Sequence, residues 1–405
     1  MTPNRLAAAA LLALATLSPA ARAADKEIVV WHAYRAAEKA AIEKVAAAYG
    51  ASHPGIKVTT LAVPYDAFAD KISAAVPRGK GPDVFIYAQD RLGGWIEAGN
   101  TVEPIDFFLD KATRDRFIPT TLDAMTYRGT VWGLPVNYKV ITLIYNKKLV
   151  KTPPRTTAEM VKLAQKLTDR AAGRFGLAYW YSDYYYHAAL QNAFGGRVFE
   201  GNSSRPVLDA PENLKGLELL RSWIAKGIMP AEPSTALITA LFNQGKAAMI
   251  FTGPWFLGEI APDIEYGLAP LPLVTEAGNK PMRPWMTVEG AFIAAPSKNK
   301  DAAYDFVKYL TDKPAATIMA LEGRQSPSNQ SVYQVPAVAA DPVLKAFRTQ
   351  VEVAVPMPNL PEMTMVWSPA TIMMASVANG TISPKAALAK AQAEVLKNIA
   401  ELHRK

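Results

Sequence analysis

The 405-residue sequence contains no cysteine. No disulfide can form, and no thiolate is available to bind a metal or attack a substrate. Histidine is scarce as well. His32, His53, His187 and His403 stand far apart, so a three-histidine metal site would need the fold to gather them. Long runs of one charge are also missing. The longest Lys/Arg runs are the pairs Lys147-Lys148 and Arg404-Lys405, and basic residues interleave with acidic ones. The balance of 44 Lys+Arg against 36 Asp+Glu leaves a net charge of +8. Spread in this way it reads as a solvated mixed-charge surface and not as a nucleic-acid footprint. There is no GxSxG elbow, P-loop, GxGxxG or HExxH motif, no internal repeat and no flexible Gly/Ser linker. A glycosidase carboxylate pair survives this sieve, because such pairs need no fixed spacing. What is present is a chain 50% hydrophobic and 20% charged, with length for about two or three folded units.

Residues 1–23 read as an export signal. Arg5 is followed by an uncharged run, 6–17, too short to cross a bilayer, then by Pro19 and by small Ala21 and Ala23 at the −3 and −1 positions of a cleavage site. Cleavage after Ala23 removes Arg5 and Arg22, which lowers the net charge from +8 by two. With no cysteine to carry a lipid, the exported chain is expected to be free of a membrane anchor. The stretch 363–384 carries no charge, but Ser368, Pro369, Ser376, Asn379 and Gly380 make it unfit for hydrocarbon. It reads as a helix with Ser368 as N-cap, Pro369 at the first helical position and Gly380 just past the end.

The strands expected at 27–34, 56–63 and 83–88 alternate with helical stretches through Ile42, Val45 and Tyr49 and over 65–76. That order is the signature of a parallel sheet in an α/β layer architecture. Further strands are expected at 140–145 and 247–251, and helices at 214–225, 301–311 and 384–402. Thr156 and Glu159 have capping-box spacing ahead of Met160, Leu163 and Leu167. Without a flexible linker, two lobes would be joined by ordered crossings, which suggests a hinge.

The aromatic distribution is the informative feature. Tyr179, Trp180, Tyr181, Tyr184, Tyr185 and Tyr186 place six aromatics in eight positions. A period-two strand cannot bury all of them on one face, so some must line a surface or cleft. Trp255 follows Gly253-Pro254 and Trp367 stands just before the uncharged helix, both at element ends where side chains often meet ligands. Sugars suit such groups. The C–H faces of pyranose rings stack on aromatic faces, and hydroxyls bond carboxylates and guanidinium groups such as Asp90, Arg91 and Asp183.

At this point the segments 81–99 (GPDVFIYAQDRLGGWIEAG), 143–149 (LIYNKKL), 247–255 (AAMIFTGPW) and 356–367 (PMPNLPEMTMVW) resemble the maltose/maltodextrin-binding protein family. Its members are periplasmic solute-binding subunits of carbohydrate ABC importers. The resemblance runs in family order over essentially the whole mature chain. It implies an α/β, two-lobed periplasmic binding protein fold, each lobe a mixed and mostly parallel sheet flanked by helices. Three hinge crossings would fall near 137–140, 286–288 and 338–342. The N-lobe would hold 24–137 plus 286–338, and the C-lobe 138–285 plus 339–405. It further implies a monomer in the periplasm, with an α-glucan oligosaccharide as ligand and inner-membrane ABC permease subunits as partners. No enzymatic activity, cofactor, metal or nucleic acid is implied.

By the same resemblance, Tyr87, Ala88, Asp90 and Arg91 match the family's N-lobe site. Asp183 stands where the family has Glu, Tyr185 matches the neighbouring Tyr, and Trp255 and Trp367 match the stacking platforms. Three departures touch groups that hold sugar hydroxyls. Lys139 replaces an acidic residue, Thr371 replaces an Arg, and His32, Tyr34 and Arg35 occupy the stretch where the family has an Asp-Lys pair. Glu289 and Tyr65 are candidate substitutes. The alternatives are another oligosaccharide such as trehalose or sucrose, a secreted glycoside hydrolase, or a basic module for polyanions.

Overall fold

The computed structural model describes residues 26–201 and 203–404, so the expected signal segment lies outside the described residues. Two sheets organise the chain. The larger has the strand order Ser326–Pro327, Gly133–Lys139, Trp285–Ile293, Val84–Ala88, Lys26–His32, Ile56–Ala62, with Val355–Pro356 beside Trp285 and Met286. Lys26–His32 runs parallel to both Ile56–Ala62 and Val84–Ala88, as the strand–helix alternation requires. All five residues of Val84–Ala88 (VFIYA) are buried, which fits a strand covered on both faces.

The smaller sheet has the order Tyr266–Ala269, Thr142–Asn146, Ala247–Thr252, Phe175–Ala178. Thr142–Asn146 is antiparallel to both neighbours, and Trp285–Ile293 is antiparallel to both Val84–Ala88 and Gly133–Lys139. Both sheets are mixed as expected, yet antiparallel pairs are more frequent than a mostly parallel sheet would have. The cause is that strands entering from the other lobe insert against the local direction.

Each sheet has its own core. Ile28, Val30, Phe85, Phe292 and Phe306 belong to the larger one, and Leu143, Tyr179, Trp223 and Phe251 to the smaller. The chain passes from Gly133–Lys139 to Thr142–Asn146 through only Val140 and Ile141, both fully buried. It returns between Tyr266–Ala269 and Trp285–Ile293. The third passage lies later than 338–342. Val343 and Phe347, on the helix Pro342–Val351, pack in the larger core, while Met357 packs in the smaller. The reason is local: the Asp341 carboxylate accepts from the N–H groups of Val343 and Leu344 and starts a helix where a crossing was expected.

Boundaries elsewhere shift by up to three residues, the largest at the start of Pro211–Ala225, with two instructive exceptions. The uncharged helix is Trp367–Ala378, and Ser368 does not cap it. The turn Pro361–Met365 runs directly into it through Val366, whose φ of −84° and ψ of −36° are already helical, so no extended cap residue exists. Gly380, at φ +70°, ends it as expected. Thr156 does accept from Glu159 N at 3.2 Å, but the Glu159 carboxylate reaches back to Arg155 N at 2.7 Å, one residue upstream of the capping-box partner. Among the described residues no helix is long and apolar enough to cross a membrane.

Candidate functional site: a cleft with two unlike walls

The larger lobe's wall begins where Val84–Ala88 ends. Ligands of open α/β sheets sit beyond the carboxyl ends of the strands, and here the chain turns through Gln89–Arg91. Asp90 is 7% exposed, with Arg91 Nε 3.5 Å from its Oδ2. Burial pushes the Asp90 carboxyl up to about 6, against the pull of Arg91. Tyr87 stacks on Phe68 at 4.8 Å and 2°, and Tyr65 lies over Tyr87 at 4.9 Å. Tyr65 is 49% exposed, so it offers an open ring on a packed base. Ala88 pairs in register with Glu289 on the neighbouring strand.

Glu289 is buried, and its Oε1 lies 2.9 Å from Lys139 Nζ. Lys139 also reaches Glu38 Oε1 at 3.4 Å. Burial pulls the Lys139 ammonium down, but Glu289 and Glu38 outweigh it and hold it above its ordinary value. The sequence departure at 139 and the candidate substitute at 289 are therefore one ion pair.

The smaller lobe's wall is aromatic. Asp183 caps the helix Tyr184–Ala193, its carboxylate accepting from Tyr185 N at 2.8 Å. Burial raises this carboxyl to about 6, with the backbone N–H groups of Tyr185 and Tyr186 opposing. The cap splits the aromatic run between a loop and a helix, so that Tyr179, Tyr181, Tyr184 and Tyr186 are buried while Trp180 and Tyr185 are half-buried. The Tyr185 ring lies 6.2 Å from Trp255 and 6.3 Å from Trp285, and Trp285 meets Trp367 edge-on at 5.9 Å and 80°. Trp255 folds back over Gly253, where a Cβ would stand 2.2 Å from the indole.

The two walls meet where the Thr287 hydroxyl, on the strand that carries Glu289, donates to Tyr185 Oη at 3.5 Å. Burial is the main reason the Tyr185 hydroxyl is held above its ordinary range, and a hydrogen bond with Thr287 opposes it. Asp183, Asp90 and Glu289 then raise it further, so carboxylates of both lobes lie within electrostatic reach of one tyrosine. Glu289 Oε2 and Trp367 Nε1 are buried without a hydrogen-bond partner among the described residues.

The structure thus gathers Tyr65, Tyr87, Ala88, Asp90, Arg91 and Glu289 on one wall, and Asp183, Tyr185, Trp255 and Trp367 on the other. Thr371 is exposed, and its hydroxyl donates to Trp367 O at 2.9 Å. His32 is fully buried and uses Nδ1 to accept from Tyr34 N at 3.1 Å, which is a structural role. Sequence reasoning missed Gln89 and Trp285. Gln89 is fully buried, its Oε1 accepting from Val288 N at 2.7 Å and its Nε2 donating to Met357 O at 3.2 Å. It ties two of the three passages together. No local pattern reveals this, since the partners stand 199 and 268 residues away. Among the described residues no group of three or more His, Cys, Asp or Glu is arranged to hold a metal ion.

Comparison with known proteins agrees with this geometry. The family profile described as bacterial extracellular solute-binding protein matches residues 33–317. The maltotriose-binding protein of Pyrococcus abyssi is 32% identical over 384 residues, covering 92% of this chain and 82% of that protein. The galactooligosaccharide-binding protein of Bacillus subtilis is 28% identical over 405 residues, covering 95% and 94%. Among solved structures, the Thermus thermophilus maltotriose binding protein bound with maltotriose superposes with a TM-score of 0.83 at 29% identity, covering 92% of this chain and all of that one (100%).

Proposed function

The chain belongs to the bacterial extracellular solute-binding protein family, and from that premise we propose that it binds maltooligosaccharides between its lobes and delivers them to an ABC importer. The observation that carries this reading is the pairing of a charged wall with an aromatic one across a single cleft. Trp255, Trp367 and Tyr185 take the apolar faces of glucose rings, with Tyr65 as a shelf opposite. Asp90, Arg91, Glu289 and Asp183 take the hydroxyls, and Tyr87 and Ala88 shape the floor at the strand end. The relatives named for maltotriose support an α-glucan.

In this reading the N-lobe comprises 24–137 and 286–338 with the helix Pro342–Val351 packed on it, and the remainder forms the C-lobe. Sugar touching both lobes stabilises the closed arrangement by its differential contacts, and that arrangement is what inner-membrane permease subunits receive. The protein works as a monomer in the periplasm, and binding is without turnover.

A second reading, a galactose-containing or other non-glucan oligosaccharide, is favoured by Lys139 and Thr371 at hydroxyl-holding positions and by the Bacillus subtilis relative. One experiment separates the two. Melting temperature is measured with maltose, maltotriose, maltotetraose, trehalose, sucrose, galactobiose and lactose, since a ligand bound only to the native state raises it. Maltotriose and maltotetraose are expected to give the largest rise. A rise with the non-glucan sugars alone overturns the maltooligosaccharide assignment. Release of reducing ends from maltodextrin by the same preparation would overturn binding without turnover.

A further inference from the structure

Two of the passages between the lobes run side by side as one ribbon. Trp285 and Met286 pair in parallel register with Val355 and Pro356. Backbone hydrogen bonds bracket the pairing: Val355 N donates to Pro284 O at 2.9 Å, and Met357 N to Met286 O at 3.0 Å. Successive strand residues point to opposite faces, so the ribbon turns one face to each lobe. Met286 belongs to the larger core, and Trp285, the residue before it, to the smaller. Val355, the register partner of Trp285, also packs against the smaller core. Gln89 clamps the ribbon from the larger lobe, with Nε2 donating to Met357 O and Oε1 accepting from Val288 N. A change in the angle between the lobes is taken up by a few residues in such passages, at or beside the backbone that carries Trp285.

The Trp285 side chain reaches from this ribbon to the ring wall of the cleft. It meets Trp367 edge-on at 5.9 Å and 80°, Tyr184 edge-on at 5.3 Å and 88°, and Tyr185 at 6.3 Å and 53°. The Tyr185 hydroxyl also donates to Trp285 O at 3.5 Å. Trp285 is only 2% exposed, so it offers a ligand no face of its own. Edge-to-face contacts between rings are directional, so a turn of Trp285 is passed to Trp367 and Tyr185.

We propose that Trp285 is a positioning residue that couples the cleft to the ribbon: its indole sets the orientation of Trp367 and Tyr185, and a sugar seated on those rings biases the bend at 285–286 towards the closed arrangement. The proposal rests on the carbohydrate reading above. A ligand shifts an equilibrium between two arrangements only by its differential contacts with them. With Trp285 in place the rings are oriented differently in the two arrangements, and the sugar favours one. Without it the rings turn to meet the sugar in either, and closure gains less.

The test is calorimetric titration of maltotriose into the wild-type chain and into Trp285→Met, Trp285→Phe, Trp367→Ala and the Trp285→Met/Trp367→Ala double variant, with ligand-free melting recorded for each. Methionine fills irregular core space but has no ring edge. Trp285→Met is expected to weaken binding about tenfold, and Trp285→Phe, which keeps an edge, to stay within about threefold of wild type. The double variant is expected within about threefold of Trp367→Ala alone, because both changes act through one ring. Fluorine NMR of the fluorotryptophan-labelled chain keeps the test open should Trp285→Met fail to fold. The Trp285 resonance, identified by its loss in Trp285→Phe, is expected to move when maltotriose saturates the wild-type chain and to move less in saturated Trp367→Ala. A residue packed for stability alone would show neither response. Wild-type affinity in Trp285→Met, equal losses in Trp285→Met and Trp285→Phe, losses that multiply in the double variant, or a Trp285 resonance that maltotriose leaves in place overturns the coupling alone. A wild-type chain that binds none of the sugars overturns the carbohydrate reading, and the coupling falls with it.

Discussion

In the proposed reading, the two walls of the cleft divide the work of recognition between different chemistries. The larger lobe presents Asp90 with Arg91 and Glu289 with Lys139, ion pairs set at and beside the end of a fully buried strand. The smaller lobe presents the rings of Tyr185, Trp255, Trp285 and Trp367 in contact with one another. Rings supply apolar area that tolerates sliding of the sugar, whereas carboxylates and guanidinium groups fix which hydroxyls point where. The difference also has a stability side. The rings pack into their lobe's core, so recognition and folding pull the same way there. Asp90 is held in a place where its charged form is disfavoured, so this carboxylate weakens the fold that carries it.

The largest expected effect is on the ring wall. Trp255→Ala and Trp367→Ala should each weaken maltotriose binding by more than tenfold, about 1.4 kcal/mol or more, and the double variant by roughly a hundredfold if the two platforms act independently. Calorimetric titration reads this directly. Unchanged affinity in both single variants would mean that the rings are packing alone.

Asp90→Asn tests the opposite wall, with opposite signs for function and stability. A carboxyl raised from 3.8 to about 6 in the folded state holds its proton there more tightly than in the unfolded state. Its contribution to stability is therefore largest below about pH 4 and is lost as the pH rises to about 6 and beyond. Asp90→Asn should weaken sugar binding about tenfold. It should also raise ligand-free stability at pH 7.5 by on the order of 2 kcal/mol, a gain that vanishes near pH 4. Melting curves at the two pH values check it, and a loss of stability at pH 7.5 would contradict the account of this wall.

Gln89 tests the joint between the walls. Gln89→Leu removes the partner of Val288 N and of Met357 O and should lower stability by about 1–3 kcal/mol, measured by chemical denaturation. A neutral substitution would mean that the passages hold their places without it. The smallest effect concerns Asp183, the one carboxylate on the ring wall. Both substitutions remove the buried charge, so the cap is read from their difference: Asp183→Ala should be less stable by about 1 kcal/mol than Asp183→Asn, which keeps a capping oxygen. Equal melting temperatures for the two variants would show that the cap is dispensable.

How much of this could be read in the chain depended on whether the cause was local. The helix Pro384–Leu402 was legible to both ends because Ser383 caps it and Pro384 occupies its first position. Trp367–Ala378 was misplaced at its start because a turn feeds it with no extended residue to signal a cap. The six-aromatic cluster promised a lined surface, and the Asp183 cap decided which rings remained half-buried. Resemblance pointed to Asp90, Arg91, Trp255 and Trp367, and the fold brings them to the two walls. Lys139 and Glu289 were each visible, one as a departure and one as a substitute, but no sequence pattern joins residues 150 positions apart. The antiparallel register of Glu289 with Asn137 and of Thr287 with Lys139 does so.

The central claim, that one ligand is stacked by the smaller lobe and oriented by the larger, is tested most directly by a crystal structure of the protein with maltotriose. The account predicts glucose faces against Trp255 and Trp367 and hydroxyls within hydrogen-bond distance of Asp90, Arg91 and Glu289, all in the cleft. Sugar bound outside the cleft, or held there with the charged wall untouched, would contradict it.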